Sequence, residues 1–536
     1  MRKITLSPRH RITRLITLVA ACLTASSAFA ADYYNYGVDD SRIDFATNYS
    51  NTDGSTTNAT VNPGASDNLF FYNSTVTGPT NVSLAAGPNQ LTFNSMTFRS
   101  NAGTTQINRE LDGSGTGGNT VVNIGAGGIT LEAGAGAVSF GKLADSGDNQ
   151  RITVGATASF TISNNSAGDL TFNREFDGRT TGVTNVITVV GSGSGNTVFA
   201  GGIKSNTSGR DLAMVINTTG AGAVRIEGAG TYTGGTTLQQ GTLQVLTNSA
   251  LGTGGLTING GTLASFISPT TLTNTVTVGG NFALGGSGQA ITLNGTMNLG
   301  GATRTITTAN SATLGGVISN GGITKQGAAG LTLSGNNTYT GATTVSAGSL
   351  IISATGSVGS SSVLDVASGA TLDVSAVTGG FVVGSSQTLR GNGTVVGNTK
   401  ISGTLSPGNS AGTLTFADNL TLDLNSTSIF EINGFTSGLF DLVAGGPGSQ
   451  TVEFGGTLDL TFSSNFSTLG SVKIFDFETN LGAFDSFSTT GLADGYSATF
   501  DSLSGTVNVV PEPSTYALLA LAVGALGAHV IRRRST

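Results

Sequence analysis

Residues 331–350 read LTLSGNNTYTGATTVSAGSL. Leu331-Thr332-Leu333 alternates apolar and polar, the period of a half-buried strand, and the Gly and Asn that follow mark a tight turn. The stretch then runs from Tyr339 to Val345 and ends on Gly348-Ser349-Leu350. It has a second copy. Thr338-Tyr339-Thr340-Gly341-Ala342-Thr343-Thr344-Val345 matches the upstream run Thr231-Tyr232-Thr233-Gly234-Gly235-Thr236-Thr237-Leu238, which is again followed by a short run ending in Gly241-Thr242-Leu243. Gly315-Gly316-Val317 and Gly201-Gly202-Ile203 head the two copies, which occupy 314–375 and 200–263.

A second repeat lies further upstream. Asn108-Arg109-Glu110-Leu111-Asp112-Gly113 recurs as Asn173-Arg174-Glu175-Phe176-Asp177-Gly178. Around these units the pattern stays the same: Thr120-Val121-Val122-Asn123-Ile124, Ile129-Thr130-Leu131 and Val138-Ser139-Phe140 are short alternating runs parted by Gly, Asn and Ser. No long period of 3.6 residues occurs in the body. Repeated similarity of short strands predicts an array in which each unit buries its face against the next. From Gly228 to Leu364 there is no acidic residue, and Arg304 and Lys325 are the only basic ones. So long a neutral stretch suits stacked strands, where like charges one strand apart would repel.

The units resemble autotransporter-associated β-strand repeats, on Leu331-Thr332-Leu333, Asn337 to Val345 and Gly348 to Leu350. The first copy departs from the pattern with Gly230 in place of Asn337 and Leu238 in place of Val345. The resemblance covers roughly 200–400, more loosely 90–200, and implies a right-handed parallel β-helix of the kind found in autotransporter passengers. With roughly 20–25 residues in each rung, the body makes about 20 rungs. Self-translocation is not carried over, because the chain does not end in the amphipathic strands of a translocating barrel.

The ends carry the targeting signals. Arg2, Lys3, Arg9, Arg11 and Arg14 precede a short apolar run from Leu15 to Leu23, and Ala28-Phe29-Ala30 forms an A-x-A site, so residues 1–30 read as a signal peptide cleaved after Ala30. At the other end Pro511, Glu512 and Pro513 precede an apolar segment, residues 515–531, and then Arg532, Arg533 and Arg534. At about 1.5 Å per residue that segment spans about 25 Å, enough for a minimal membrane helix. The arginines stop transfer and stay cytoplasmic. Pro on either side keeps Glu512 extended and outside the helix. The order of these three elements resembles the PEP-CTERM sorting signal of Gram-negative bacteria. That resemblance implies an exosortase as processing partner, transient anchoring in the inner membrane, and delivery to the cell surface or extracellular matrix.

The rare residues limit the chemistry. The only Cys is Cys22 and the only His are His10 and His529, all in the terminal segments. The body therefore has no thiol and no imidazole for nucleophilic catalysis or transition-metal ligation. No cofactor and no metal is expected. Of the 23 Lys and Arg, eight lie in the two terminal segments, while 29 of the 30 acids lie in 31–510, which leaves the body near −14. An acidic surface disfavours nucleic acid.

Carboxylates remain as candidates, since paired acids cleave glycosides. Asp39 with Asp40, and Glu110 and Asp112 with Glu175 and Asp177, are the available pairs. Duplication of the second group favours a structural role, with Arg109 pairing locally to Glu110 or Asp112. Thr271/Thr273, Thr275/Thr277 and Thr303/Thr305/Thr307 place hydroxyls on one side of a strand and raise a surface-binding or ice-binding alternative. Tyr232 and Tyr339 could stack on sugars, but read rather as repeat markers packed against the next rung.

The expected organisation is a signal peptide (1–30), an N-terminal cap (31–90), the solenoid (91–404), a β-rich C-terminal cap (405–509) opened by the turn Ser406-Pro407-Gly408-Asn409, and the sorting tail (510–536). The expected fold is all-β, a right-handed parallel β-helix with β-rich end caps and a C-terminal transmembrane helix. The expected function is a non-enzymatic structural or adhesive protein of the cell surface, with exopolysaccharide or other matrix components as partners. The alternatives are a polysaccharide-binding or ice-binding protein and a β-helix polysaccharide lyase or hydrolase.

Overall fold

The computed structural model describes residues 32–35, 41–42, 49–50, 67–71, 80–84, 90–100, 102–109, 120–141, 152–178, 180–205, 209–286, 288–408 and 410–512. The signal segment with Ala28 and Ala30, Pro513, the predicted membrane helix at 515–531 and Arg532 to Arg534 lie outside these residues, as do Asp39, Asp40, Glu110 and Asp112. Every regular element among the described residues is a strand. Among them no helix is long and apolar enough to cross a membrane. The chain divides into two compact units, the first made of residues 1–236, 240–243 and 249–254, the second of 237–239, 244–248 and 255–536.

In the first unit, from Thr120 onward, successive strands stack in parallel and in register, while upstream Asp32–Asn35 pairs antiparallel with Tyr49–Ser50. Thr184–Gly191 pairs with Asp211–Thr218 along its whole length, from Thr184↔Asp211 to Gly191↔Thr218. A second column runs Val138–Phe140, Leu170–Phe172, Thr197–Phe199 and Ala223–Ile226, and a third Ile152–Ala156, Phe176–Gly178 and Ile203–Lys204. The steps Leu170↔Thr197 and Thr197↔Val224 are equal and set the length of a rung. Alternation decides which side is buried: Thr184–Gly191 buries Asn185, Ile187 and Val189 and turns the residues between them outward. Because the stack is in register, like side chains fall on like. Phe140 stacks on Phe172 at 5.2 Å and Phe172 on Phe199 at 5.1 Å, all three buried. Such ring pairs add about 0.5–1.5 kcal/mol each to the burial itself.

In the second unit the rung shortens. Thr270–Leu272, Ile291–Leu293, Ala312–Leu314, Leu331–Leu333 and Ser349–Ile352 pair in parallel. The step from Leu314 to Leu333 is markedly shorter than the one from Leu170 to Thr197. Leu272, Leu293, Leu314, Leu333 and Ile352 form one inward column, each no more than 1 % exposed. At roughly 1.5–3 kcal/mol per buried aliphatic side chain, such columns are the main favourable term in a body without disulfides.

Parallel pairing continues in the second unit through Thr404–Pro407, Thr427–Ile432, Thr457–Phe466 and Ser486–Leu492. Ser406 and Pro407 thus end a strand, and Gly408, at φ +84°, makes the turn. A three-stranded antiparallel sheet follows, in the order Gly470–Lys473, Thr506–Pro511, Tyr496–Asp501. Its Phe500 meets Phe454 at 5.5 Å and Phe484 at 5.4 Å, which joins the antiparallel sheet to the aromatic core of the parallel stack.

Candidate functional site

The repeated tyrosines face inward. Tyr232 and Tyr339 are 0 % and 1 % exposed. Each phenol finds a threonine one short step along the chain: Tyr232 Oη lies 2.6 Å from Thr236 Oγ1, and Tyr339 Oη 2.8 Å from Thr343 Oγ1. Thr343 donates to Ser361 Oγ at 3.0 Å, and Ser361 to the Gly341 carbonyl at 2.8 Å. Burial drives both phenols above the ordinary tyrosine range. Stacking on a sugar is thereby excluded, and both rings belong to the core.

The two copies differ where the sequence does. Asn337 accepts from Ile318 N–H at 2.9 Å and donates to the Ser357 carbonyl at 2.8 Å, tying three rungs together. At Gly230 there is no room for that side chain: a Cβ would lie 2.5 Å from the Ala250 carbonyl oxygen. The first copy is held instead by Asp211, which accepts from Thr233 N–H at 2.9 Å, Thr233 Oγ1 at 2.6 Å, Leu212 N–H at 2.8 Å and Ser205 Oγ. Burial would raise this carboxyl, but the four donors outweigh it and hold it below the usual range.

The acids do not assemble into a pair at the one repeat that is described. Glu175 is exposed while Asp177 is buried. The residues in register with Asp177 are Gly155 and Lys204, neither of them an acid. Arg174, the counterpart of Arg109, has its Nε buried without a partner. Elsewhere, Asp441 is buried and accepts from Gly412 N–H at 3.0 Å and Glu431 N–H at 2.8 Å. Burial pushes its carboxyl up to about 7 against those two donors, and the Glu431 carboxylate adds to the rise. Among the described residues no group of three His, Cys, Asp or Glu could hold a metal ion.

The threonines form ladders across rungs. Thr271, Thr292, Thr313 and Thr332 are consecutive register partners on one sheet, each half-exposed, one strand spacing of about 4.8 Å apart. Thr305, Thr324 and Thr344 form a second outward ladder. Thr273, Thr275, Thr277 and Thr303 are exposed, and Thr307 is half-exposed beside Ala283 and Gln326. Three members of the first ladder escaped the sequence reading because ladder neighbours stand a full rung apart along the chain, whereas a Thr-x-Thr search sees one strand at a time.

Lys325 was also missed. It sits between Ile306 and Val345 in an inward column and is fully buried. Its Nζ donates to the carbonyls of Gln326 (2.9 Å), Gly327 (2.7 Å) and Ala347 (2.9 Å). The signal was present: in Ile323-Thr324-Lys325 the alternation puts the lysine on the apolar side. Burial lowers its amine to about 8.

Of the sorting residues, Pro511 and Glu512 are described and both are exposed. Pro511 is the last residue of strand Thr506–Pro511 and pairs with Tyr496, and Glu512 N–H donates to the Gly495 carbonyl at 2.8 Å.

Comparison with known families places two matches in the body and one at the end. Residues 217–245 and 323–352 match the passenger-associated-transport-repeat, and residues 509–535 match the PEP-CTERM protein-sorting motif. Searches of curated proteins and of solved structures found no match. Each repeat match ends on the second strand after the buried tyrosine, Thr242–Val245 in one copy and Ser349–Ile352 in the other. The chain is thus a parallel β-solenoid that carries an exosortase-type sorting signal. Such a signal implies export, processing at the membrane, and placement at the cell surface or beyond it.

Proposed function

We propose that the protein is a non-enzymatic structural or adhesive component of the cell surface or extracellular matrix, released from its membrane tail by exosortase. The observation that carries this reading is the sorting motif at 509–535 behind a body of passenger-type repeats. Asn337 and Lys325 bond across rungs, Tyr339 does so through Thr343 and Ser361, and Tyr232 is spent in the core on Thr236. At the one described repeat Glu175 is exposed while Asp177 is buried beside Gly155 and Lys204, which supports the non-enzymatic reading. Exopolysaccharide is the favoured partner. The test follows the native protein and its Glu512→Gln variant through cell fractionation and intact-mass measurement. The wild type should lose its tail and reach the surface, while the variant stays full-length in the inner membrane. Equal processing of the two, or a surface protein that keeps its tail, sinks the sorting reading. Turnover of a polysaccharide abolished by Glu175→Gln or Asp177→Asn would sink the non-enzymatic one.

A second reading is favoured by the Thr271–Thr292–Thr313–Thr332 ladder. A row of hydroxyls at strand spacing on a neutral face suits an ordered hydroxylated surface, a glycan or ice. Replacing Thr292 and Thr313 by Val keeps the strand propensity and removes the hydroxyls. Unchanged binding to exopolysaccharide and unchanged ice growth would discard it.

A further inference from the structure

The sorting motif does not begin where the fold ends. The match starts at residue 509, inside strand Thr506–Pro511. Val509 is paired on both edges, to Gly470 on one side and Ala498 on the other. Val510 pairs with Ser497 and Pro511 with Tyr496. The hydrogen bond from Glu512 N–H to Gly495 O, 2.8 Å, carries the pairing one residue further. Val507 and Val509 anchor the strand in the core, at 0 % and 2 % exposed, while the side chains of Pro511 and Glu512 are exposed. The glutamate is therefore on view, but the backbone on which it sits is held.

An enzyme that takes an extended segment into its cleft uses the same backbone N–H and C=O groups that a sheet uses. Residues 510–512 cannot pair with Gly495 to Ser497 and enter such a cleft together. Only Pro513 and Ser514 separate Glu512 from the apolar segment that begins at Thr515, so no free linker lets the motif reach the enzyme while the strand stays docked. We propose that the end of strand Thr506–Pro511 is a latch: the antiparallel cap keeps the motif closed, and processing proceeds only from the state in which residues 510–512 have peeled away from Gly495 to Ser497. The latch acts before any bond is broken, and it rests on the reading of 509–535 as a processing signal. It makes the stability of the last sheet a determinant of the processing rate, since only the open fraction is competent.

The test locks the latch covalently. Ser497 and Val510 are direct partners on antiparallel strands, a separation of about 4.5–5.5 Å between Cα atoms that a disulfide spans. The only native cysteine is Cys22, in the signal segment. The full-length Ser497→Cys/Val510→Cys protein is expressed in the native host, crosslinking is read on non-reducing gels, and tail removal is followed by pulse-chase. The crosslinked form should be processed at least about tenfold more slowly than wild type, with the rate restored by reductant and unchanged in each single-cysteine variant. Gly495→Ala supplies the opposite arm. Gly495 sits at φ +83°, so a side chain strains the turn that bears the acceptor, and processing should quicken. A crosslinked form processed as fast as wild type overturns the latch. A wild type that is never processed overturns the sorting reading instead.

Discussion

Tyr339 Oη lies 2.8 Å from Thr343 Oγ1, and Tyr232 repeats the relationship with Thr236 at 2.6 Å. The Tyr-to-Thr interval of the repeat motif is thus the reach of a buried phenol to the next inward hydroxyl. Tyr339→Phe removes one partner and leaves Thr343 its bond to Ser361, so the cost should be near ~1 kcal/mol. Tyr339→Ala empties a core position and should cost roughly 3–5 kcal/mol. Hydrogen exchange of the amides in Thr343–Val345 and Ser349–Ile352 reads both. Equal protection in the alanine variant and wild type would contradict the assignment, as would loss of glycan binding in the phenylalanine variant, because the ring is not at the surface.

Lys325 sets a pH dependence of one sign. Its folded amine is lowered to about 8 from the ordinary 10.5. Between those values the unfolded chain binds the extra proton, so stability rises with pH. Tyr232 and Tyr339, raised above their ordinary 10, act only beyond that pH and in the opposite sense, because their phenols stay protonated while the unfolded ones ionise. Denaturation of wild type and Lys325→Met at about pH 7 and about pH 9.5 should show wild type gaining relative to the variant. Parallel behaviour of the two would mean that the three carbonyls keep the ammonium as stable as water does.

Asp441 gives the reverse slope at lower pH. Its folded carboxyl stands at about 7, above the ordinary 3.8. Between these values the folded state binds the extra proton, so its contribution is largest below about pH 4 and is lost as pH rises to about 7. Global stability read by denaturant unfolding should fall over that range, although the Gly412 and Glu431 amides that donate to Asp441 favour its ionised form. Asp441→Asn should flatten the dependence. A slope that survives the substitution assigns it to another group.

The fold was legible because its signal is local and repeated. Leu331-Thr332-Leu333 alternates, its neighbours do the same one rung away, and in-register stacking then needs no further information. The buried tyrosines were legible for the same reason. What the alternation could not show was pairing at a distance. Thr271 and Thr292 become one surface only when the rung length is known, and that length is not constant: the step from Leu170 to Thr197 in the first unit is longer than any step of the Thr271–Thr332 ladder in the second. Lys325 was hidden by its charge, which composition reads as exposed, although a long stem can bury while its amine reaches the carbonyls of a turn. The docking of Glu512 against Gly495 lies beyond sequence for another reason: the prolines read as keeping Glu512 extended, but which strand an extended segment joins is decided at a distance, and at the end of a strand the missing N–H of Pro511 costs little.

Asn337 and Gly230 occupy the same position of two repeats and should not be interchangeable. Asn337 is 4 % exposed and bridges Ile318 N–H to the Ser357 carbonyl. Asn337→Ala leaves that N–H buried and unpaired, at a cost of about 1–3 kcal/mol. Restoring the family residue in the first copy should not help. In Gly230→Asn the new Cβ would lie 2.5 Å from the Ala250 carbonyl oxygen and 2.9 Å from Gly252 N. Gly252 has little room to give way, since it stands at φ +60° against the Tyr232 carbonyl. Gly230→Asn should therefore destabilise by roughly 1–3 kcal/mol, as overpacking does. If each rung were an independent copy of one consensus, the variant would be neutral or stabilising. Thermal unfolding of Gly230→Asn and Asn337→Ala beside wild type separates these outcomes: two lowered transitions support rung-specific packing, and a raised transition for Gly230→Asn contradicts it.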